Sequence, residues 1–234
     1  MNSIVAEKRY IANKLGVPYE SLSQSYLRAE TAVGTQSVIN FTLQTNKVLA
    51  PVVSERLLDL NDEFVITHFH IGIKNVTDAT DLSEQLTAEF QTYDSVSFGS
   101  SADYTVFQQM GIATIYNGDL SFTIDRKEFV PNFPVRAFYR VPDVLKEDAF
   151  TTVVGIPSTD GGGSGNPINN PSARLAQTET SLYGFYPSEP TKIDGRQTID
   201  LSINLGANAN LTSPTGTNYV VFEARGYLIT NAND

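Results

Sequence analysis

The chain predicts an all-β sandwich preceded by a short amino-terminal helical arm. Period-two alternation recurs along most of the chain after Thr31. Turn-forming dipeptides and polar Gly/Ser/Asn/Pro stretches interrupt it at short intervals, and helical spacing is concentrated in residues 1–30. With 234 residues, 41% of them hydrophobic, there is enough apolar side chain for a packed core.

The arm, residues 1–30, opens with Ser3 as a helix cap and a buried stripe of Ile4, Ile11 and Leu15, and Gly16 and Pro18 stop the helix. Leu22 and Tyr26, four apart, predict a second short helix over 18–28. The β body, 31–234, starts with the alternating run at 38–43. In the long run 64–74, Val65, Thr67, Phe69, Ile71 and Ile73 are expected on one face. Further strands are expected at 113–116, 120–124, 129–130, 135–141, 152–156, 182–186, 198–205 and 219–229. Asn117-Gly118 is read as a hairpin turn between two of them. Asp81 followed by Glu84 resembles a capping box for a helix over 82–90, and 142–149 can form another turn or two. Residues 158–167, which hold the cluster Gly161 to Gly165, read as an exposed loop.

Charge excludes one class of function. The formal charge is −10, residues 1–30 net +1, and the rest carries −11, so charge-driven binding of nucleic acid is not expected. No apolar run approaches the roughly 20 residues of a spanning helix. The first residues lack the pattern of a secretory signal. Cysteine is absent, which removes disulfides and thiolate chemistry.

Candidate chemistry is sparse. His68 and His70, the only imidazoles, fall on one face of a strand and resemble half of a cupin metal site, but no third histidine exists to complete it. A polar strand face is the expected reading, with no metal and no cofactor. Gly161 to Gly165 lacks the Lys-Ser or Lys-Thr of a phosphate loop, and Ser164 lacks the frame of a nucleophile elbow. Asp59, Asp62 and Glu63 read as a solvated turn ahead of a strand. No enzyme activity is indicated. The arm is the element left to interact: its apolar stripe (Ile4, Ile11, Leu15) with Lys8, Arg9 and Lys14 can face a neighbouring subunit, an anionic membrane or the chain's own β body.

A helical arm, a long acidic β body with polar loops, no cysteine or tryptophan, and a long final strand over 217–229 together resemble the viral jelly-roll capsid proteins, in particular those of tailless icosahedral bacteriophages. The resemblance implies a virion structural protein, made in the host cytoplasm, that self-assembles as homotrimers into a capsid. Its partners would be copies of itself, other virion proteins and an internal lipid membrane. A compact double jelly roll, divided into 31–140 and 141–234, is favoured slightly over a single roll with an insertion at 142–196. The alternative function is a carbohydrate-binding or receptor-binding β-sandwich module of a phage.

Overall fold

The computed structural model describes residues 3–47, 53–88, 90–91, 114–139, 186–213 and 216–230. The expected strand at 152–156, the turns at 142–149, the loop around Gly161 to Gly165 and nearly all of the expected strand at 182–186 lie outside these residues.

Among the described residues the elements are α1 (Ser3–Leu15), β1 (Ser23–Ala32), β2 (Thr35–Phe41), β3 (Glu63–Val76), α2 (Leu82–Thr87), β4 (Phe90–Gln91), β5 (Asp119–Ile124), β6 (Lys127–Pro134), β7 (Tyr186–Asp194), β8 (Ile199–Asn210) and β9 (Thr217–Ile229). They form two antiparallel sheets. In the first, β1 pairs with β9 and β9 with β3, and the far edge of β3 takes β7 along its first half and β4 near its end. The second has the order β2-β8-β5-β6. The chain changes sheet at every step except from β3 to β4 and across the β5–β6 hairpin.

The core lies between the sheets. Leu27 and Ala29 of β1, Phe69, Ile71 and Ile73 of β3, and Val220, Phe222 and Ala224 of β9 meet Ile39 and Phe41 of β2, Leu120 and Phe122 of β5, and Leu201 and Ile203 of β8. Phe222 is central, with ring centroids 6.1 Å from Phe41 and 6.4 Å from Phe69. Each such side chain removed from water contributes about 1.5–3 kcal/mol, and together these oppose the backbone entropy that ordering the strands costs.

Several expectations are corrected. The arm ends earlier than residue 30: one 3-10 turn (Tyr19–Ser21) follows α1, and 23–32 is strand. The Leu22/Tyr26 spacing is overridden by the alternation of Leu27 and Ala29 with Arg28 and Glu30, in a strand that pairs from Ser23 to Ala32 with Leu228 to Tyr219 of β9. A cut into 31–140 and 141–234 is also not what the pairing allows. Strands β1, β3, β2 and β5 from before the cut hydrogen-bond directly to β9 and β8 from after it, so each sheet is built from both halves.

Asn117-Gly118 closes no hairpin. Thr114–Asn117 and Val135–Phe138 are 3-10 turns where strands were expected, and Gly118 follows the first of them. Its value is close approach, since a Cβ there would come within 2.8 Å of Ile203 Cγ2 and 2.9 Å of the Asn204 carbonyl. The hairpin turn is Asp125-Arg126, with φ of 48° and 68°, joining β5 to β6. Finally, α2 stops at Thr87 rather than running to 90. Asp81 caps it, accepting from the Ser83 and Glu84 amides at 2.8 and 3.3 Å, while the Glu84 carboxylate accepts from the amides of Thr77 and Asp78 instead of closing a capping box.

Candidate functional site

The outward face of the β1-β9-β3 sheet is where unlike side chains converge. A β-bulge in β3 between Ile66 and His68 determines which ones. Before the bulge Phe64 and Ile66 face the core, and after it Phe69, Ile71 and Ile73 do. Val65 therefore lies on the opposite face from Phe69, a correction to the uninterrupted alternation. The bulge also sets His68 opposite Arg225 and His70 opposite Glu223. Because β1 adds Tyr26 beside Arg225 and Arg28 beside Glu223, two transverse rows form: Tyr26, Arg225, His68 and then Arg28, Glu223, His70.

Both ends of this face are covered. At one end α1 lies on it, with Ile11 and Ala12 buried against Val65, Tyr227 and Ile229, and Leu15, Val17 and Tyr19 packed around them. At the other end Lys74 is fully buried and paired with the equally buried Glu30 carboxylate. Lys74 Nζ also donates to Ser54 Oγ at 2.9 Å and to the Gln85 carbonyl at 3.3 Å, and lies 5.2 Å from the Tyr219 ring centroid. Burial pushes the Lys74 ammonium below its ordinary range even though Glu30 pulls it upward. Burial, and then the charges of Glu30 and Glu55, push the Tyr219 phenol up.

Between the two covers lies a groove of about 890 Å³. Its floor holds Tyr26, Arg28, Thr67, His68, Glu223 and Arg225, and Glu7 of α1 forms part of its wall. Tyr26 is 40% exposed, with the Arg56 guanidinium 5.1 Å from its ring centroid. Arg56 is held there by a backbone bridge: the Arg28 amide donates to the Arg56 carbonyl at 2.8 Å, and the Arg56 amide to the Arg28 carbonyl at 2.9 Å. Arg28 Nε donates to Glu30 Oε1 at 2.8 Å, and Arg225 Nε to Glu223 Oε1 at 3.5 Å.

Thr67 Oγ1 lies 3.0 Å from His68 Nδ1 and 3.2 Å from the Arg225 carbonyl, so the hydroxyl ties the imidazole to β9. Tyr227, at the α1 end, has its phenol pushed up to about 12 by burial, then by the charge of Glu7 and a hydrogen bond to it.

The six arm residues singled out from the sequence do not act together. Ile11 is buried and Leu15 packs on the same cluster, whereas Ile4 is 45% exposed and belongs to no buried stripe. Lys8 Nζ sits 4.3 Å from the Tyr19 ring centroid. Lys14 Nζ meets Glu189 Oε1 at 2.5 Å, which raises the Lys14 pKa, and Arg9 is exposed. Docking of Ile11 and Leu15 puts the helix on its own sheet. His68 and His70 do share a face, but no group of three metal-binding side chains occurs among the described residues.

Sequence reasoning did not single out Tyr26, Arg28, Arg56 or Arg225. The alternation Gln24, Tyr26, Arg28, Glu30 against Leu27 and Ala29 was the available signal for the first two. Asp59 to Asp62 form the expected turn ahead of β3, and Glu63 begins that strand, paired with Lys192 at 2.6 Å. No protein-family model matches the chain, and no curated protein or solved structure matches it either.

Proposed function

We propose that this chain is a jelly-roll structural subunit that assembles with copies of itself into a shell, as the capsid subunit of a virion does. The strand order carries the reading. With β1-β9-β3-β7 facing β2-β8-β5-β6, the eight principal strands follow the winding of a jelly roll with its two Greek keys, an architecture that viral capsid and lectin domains share. A single roll with insertions accounts for this order, because both sheets draw strands from both halves of the chain.

The edges and surfaces support an assembly role. β6 carries Pro131 and Pro134, β7 carries Pro187 and Pro190, and part of the β1 edge is occupied by the Arg56 bridge, so indiscriminate edge-to-edge pairing is discouraged. Exposed apolar side chains remain on the helices, Ile4 and Tyr10 on α1 and Leu82 and Leu86 on α2, where contacts between copies can form. Light scattering and negative-stain microscopy of the purified chain test the proposal. Trimers or closed particles are the expected result. A strict monomer at the highest soluble concentration, under conditions that also span low and high salt, would overturn it.

The groove supports a second reading, a β-sandwich module that recognises a carbohydrate or receptor. Its volume lies in the range of small-molecule sites, and it combines an exposed aromatic ring with convergent polar groups. Binding of glycans by the monomer tests this reading independently of assembly.

A further inference from the structure

Nothing in the structure indicates what would meet the small apolar pocket between Phe69, Phe122, Phe129 and Thr191, or the exposed Leu82/Leu86 pair on α2. The groove differs, because its floor and rim are described and its chemistry is specific.

We propose that the groove over Tyr26, Arg28, His68 and Arg225 binds a saccharide that carries a carboxylate. This rests on the second reading above and names its ligand. Arginine is concentrated here: Arg28, Arg56 and Arg225 are three of the chain's nine, gathered on one patch of a protein whose formal charge is −10. Arg28 and Arg225 are diagonal neighbours on adjacent strands, a spacing of about 7–8 Å that lets two long side chains reach one anion. Guanidinium groups are the natural partners of a carboxylate because their planar fork matches its two oxygens.

The remaining groups suit the sugar ring. Tyr26 offers a partly exposed ring against which a pyranose C–H face can lie. His68 offers an imidazole nitrogen to a sugar hydroxyl, and Gln24 and Ser25 border the same space. Glu7 and Glu223 accept further hydroxyls and disfavour ligands of high negative charge, which separates a single carboxylate from a polyphosphate. Gly226 lets β9 lie close to β3 beside the groove, since a Cβ there would come within 1.8 Å of the Val65 carbonyl oxygen.

The test is a titration of the full chain, followed by NMR or calorimetry, with sialyllactose, a glucuronic-acid oligosaccharide and lactose. The acidic sugars are expected to bind at least about tenfold more tightly than lactose, the equivalent of one well-made charged contact. Arg225→Gln should remove at least about tenfold of the acidic sugars' affinity and leave lactose nearly unchanged. Tyr26→Ala should weaken all the sugars that bind, and Tyr26→Phe should restore them.

Equal binding of lactose and the acidic sugars would overturn the carboxylate assignment while leaving the second reading standing. No binding of any sugar would overturn both. Acidic-sugar binding unaltered by both Arg225→Gln and Tyr26→Ala would place the site elsewhere and overturn the proposal. Equally effective displacement by inorganic phosphate would show that only an anion is recognised, and would overturn the saccharide.

Discussion

The two outward faces of the sandwich follow different rules. On the β2-β8-β5-β6 sheet the strands alternate: in β8 Ile199, Leu201 and Ile203 point inward and are buried, while Asp200 and Asn204 face solvent. On the other sheet the central strands β3 and β9 are buried on almost every residue, because α1 covers one end of the outward face and the 53–58 segment with α2 covers the other. A strand covered on both sides must place its polar side chains in paired networks, and this face accordingly carries the Lys74–Glu30 pair, Tyr227 with Glu7, and the arginine-lined groove. The lesson is that the covered sheet, not the solvated one, holds the chemistry.

This difference can be broken from its strongest point. Lys74→Ala should cost about 3 kcal/mol in urea unfolding, because the buried Glu30 carboxylate then keeps only Arg28, on its Oε1, as a cation. The double change Lys74→Met with Glu30→Leu should recover most of that loss, since an apolar replacement of the pair removes both desolvation penalties. Next in size is the helix cover. Ile11→Ala should cost about 2–4 kcal/mol, whereas Ile4→Ala should change stability by no more than about 0.5 kcal/mol.

Alkaline titration sharpens the comparison further. The Tyr227 phenol has its ordinary pKa of 10.0 when unfolded but is pushed up to about 12 when folded, so the folded state holds the proton longer. Its contribution is fully present below pH 10 and is lost as pH rises toward 12. Tyr227→Phe should flatten this alkaline decline in melting temperature. Asp81→Ala, which removes the cap of α2 over the Lys74 end, should cost about 1 kcal/mol. On the solvated sheet Asp200→Ala should stay within about 0.5 kcal/mol, as measured by the same urea transitions.

The solvated sheet was the more legible in the sequence for the same reason. Simple alternation marks β8, β5 and much of β2, and the long β3 and β9 were visible as alternating runs too. β1 was not, because Leu22 and Tyr26 also fit a helix and only pairing with β9 decides between them. The β3 bulge adds one residue without a sequence mark, so the face of Val65 could not be read. The groove was illegible for a different reason: Arg28 and Arg225 are remote in sequence and become neighbours only through the β1–β9 register. Asn117-Gly118 misled because a glycine chosen for close approach looks the same as one chosen for a turn.

Both sheets of the sandwich are built from strands on either side of residue 140. The most direct test is to express 1–140 and 141–234 separately and together, and to record NMR spectra and thermal transitions. Neither fragment should give dispersed resonances or a cooperative transition alone, and mixing them should restore one transition. A fragment that folds cooperatively by itself would contradict the account.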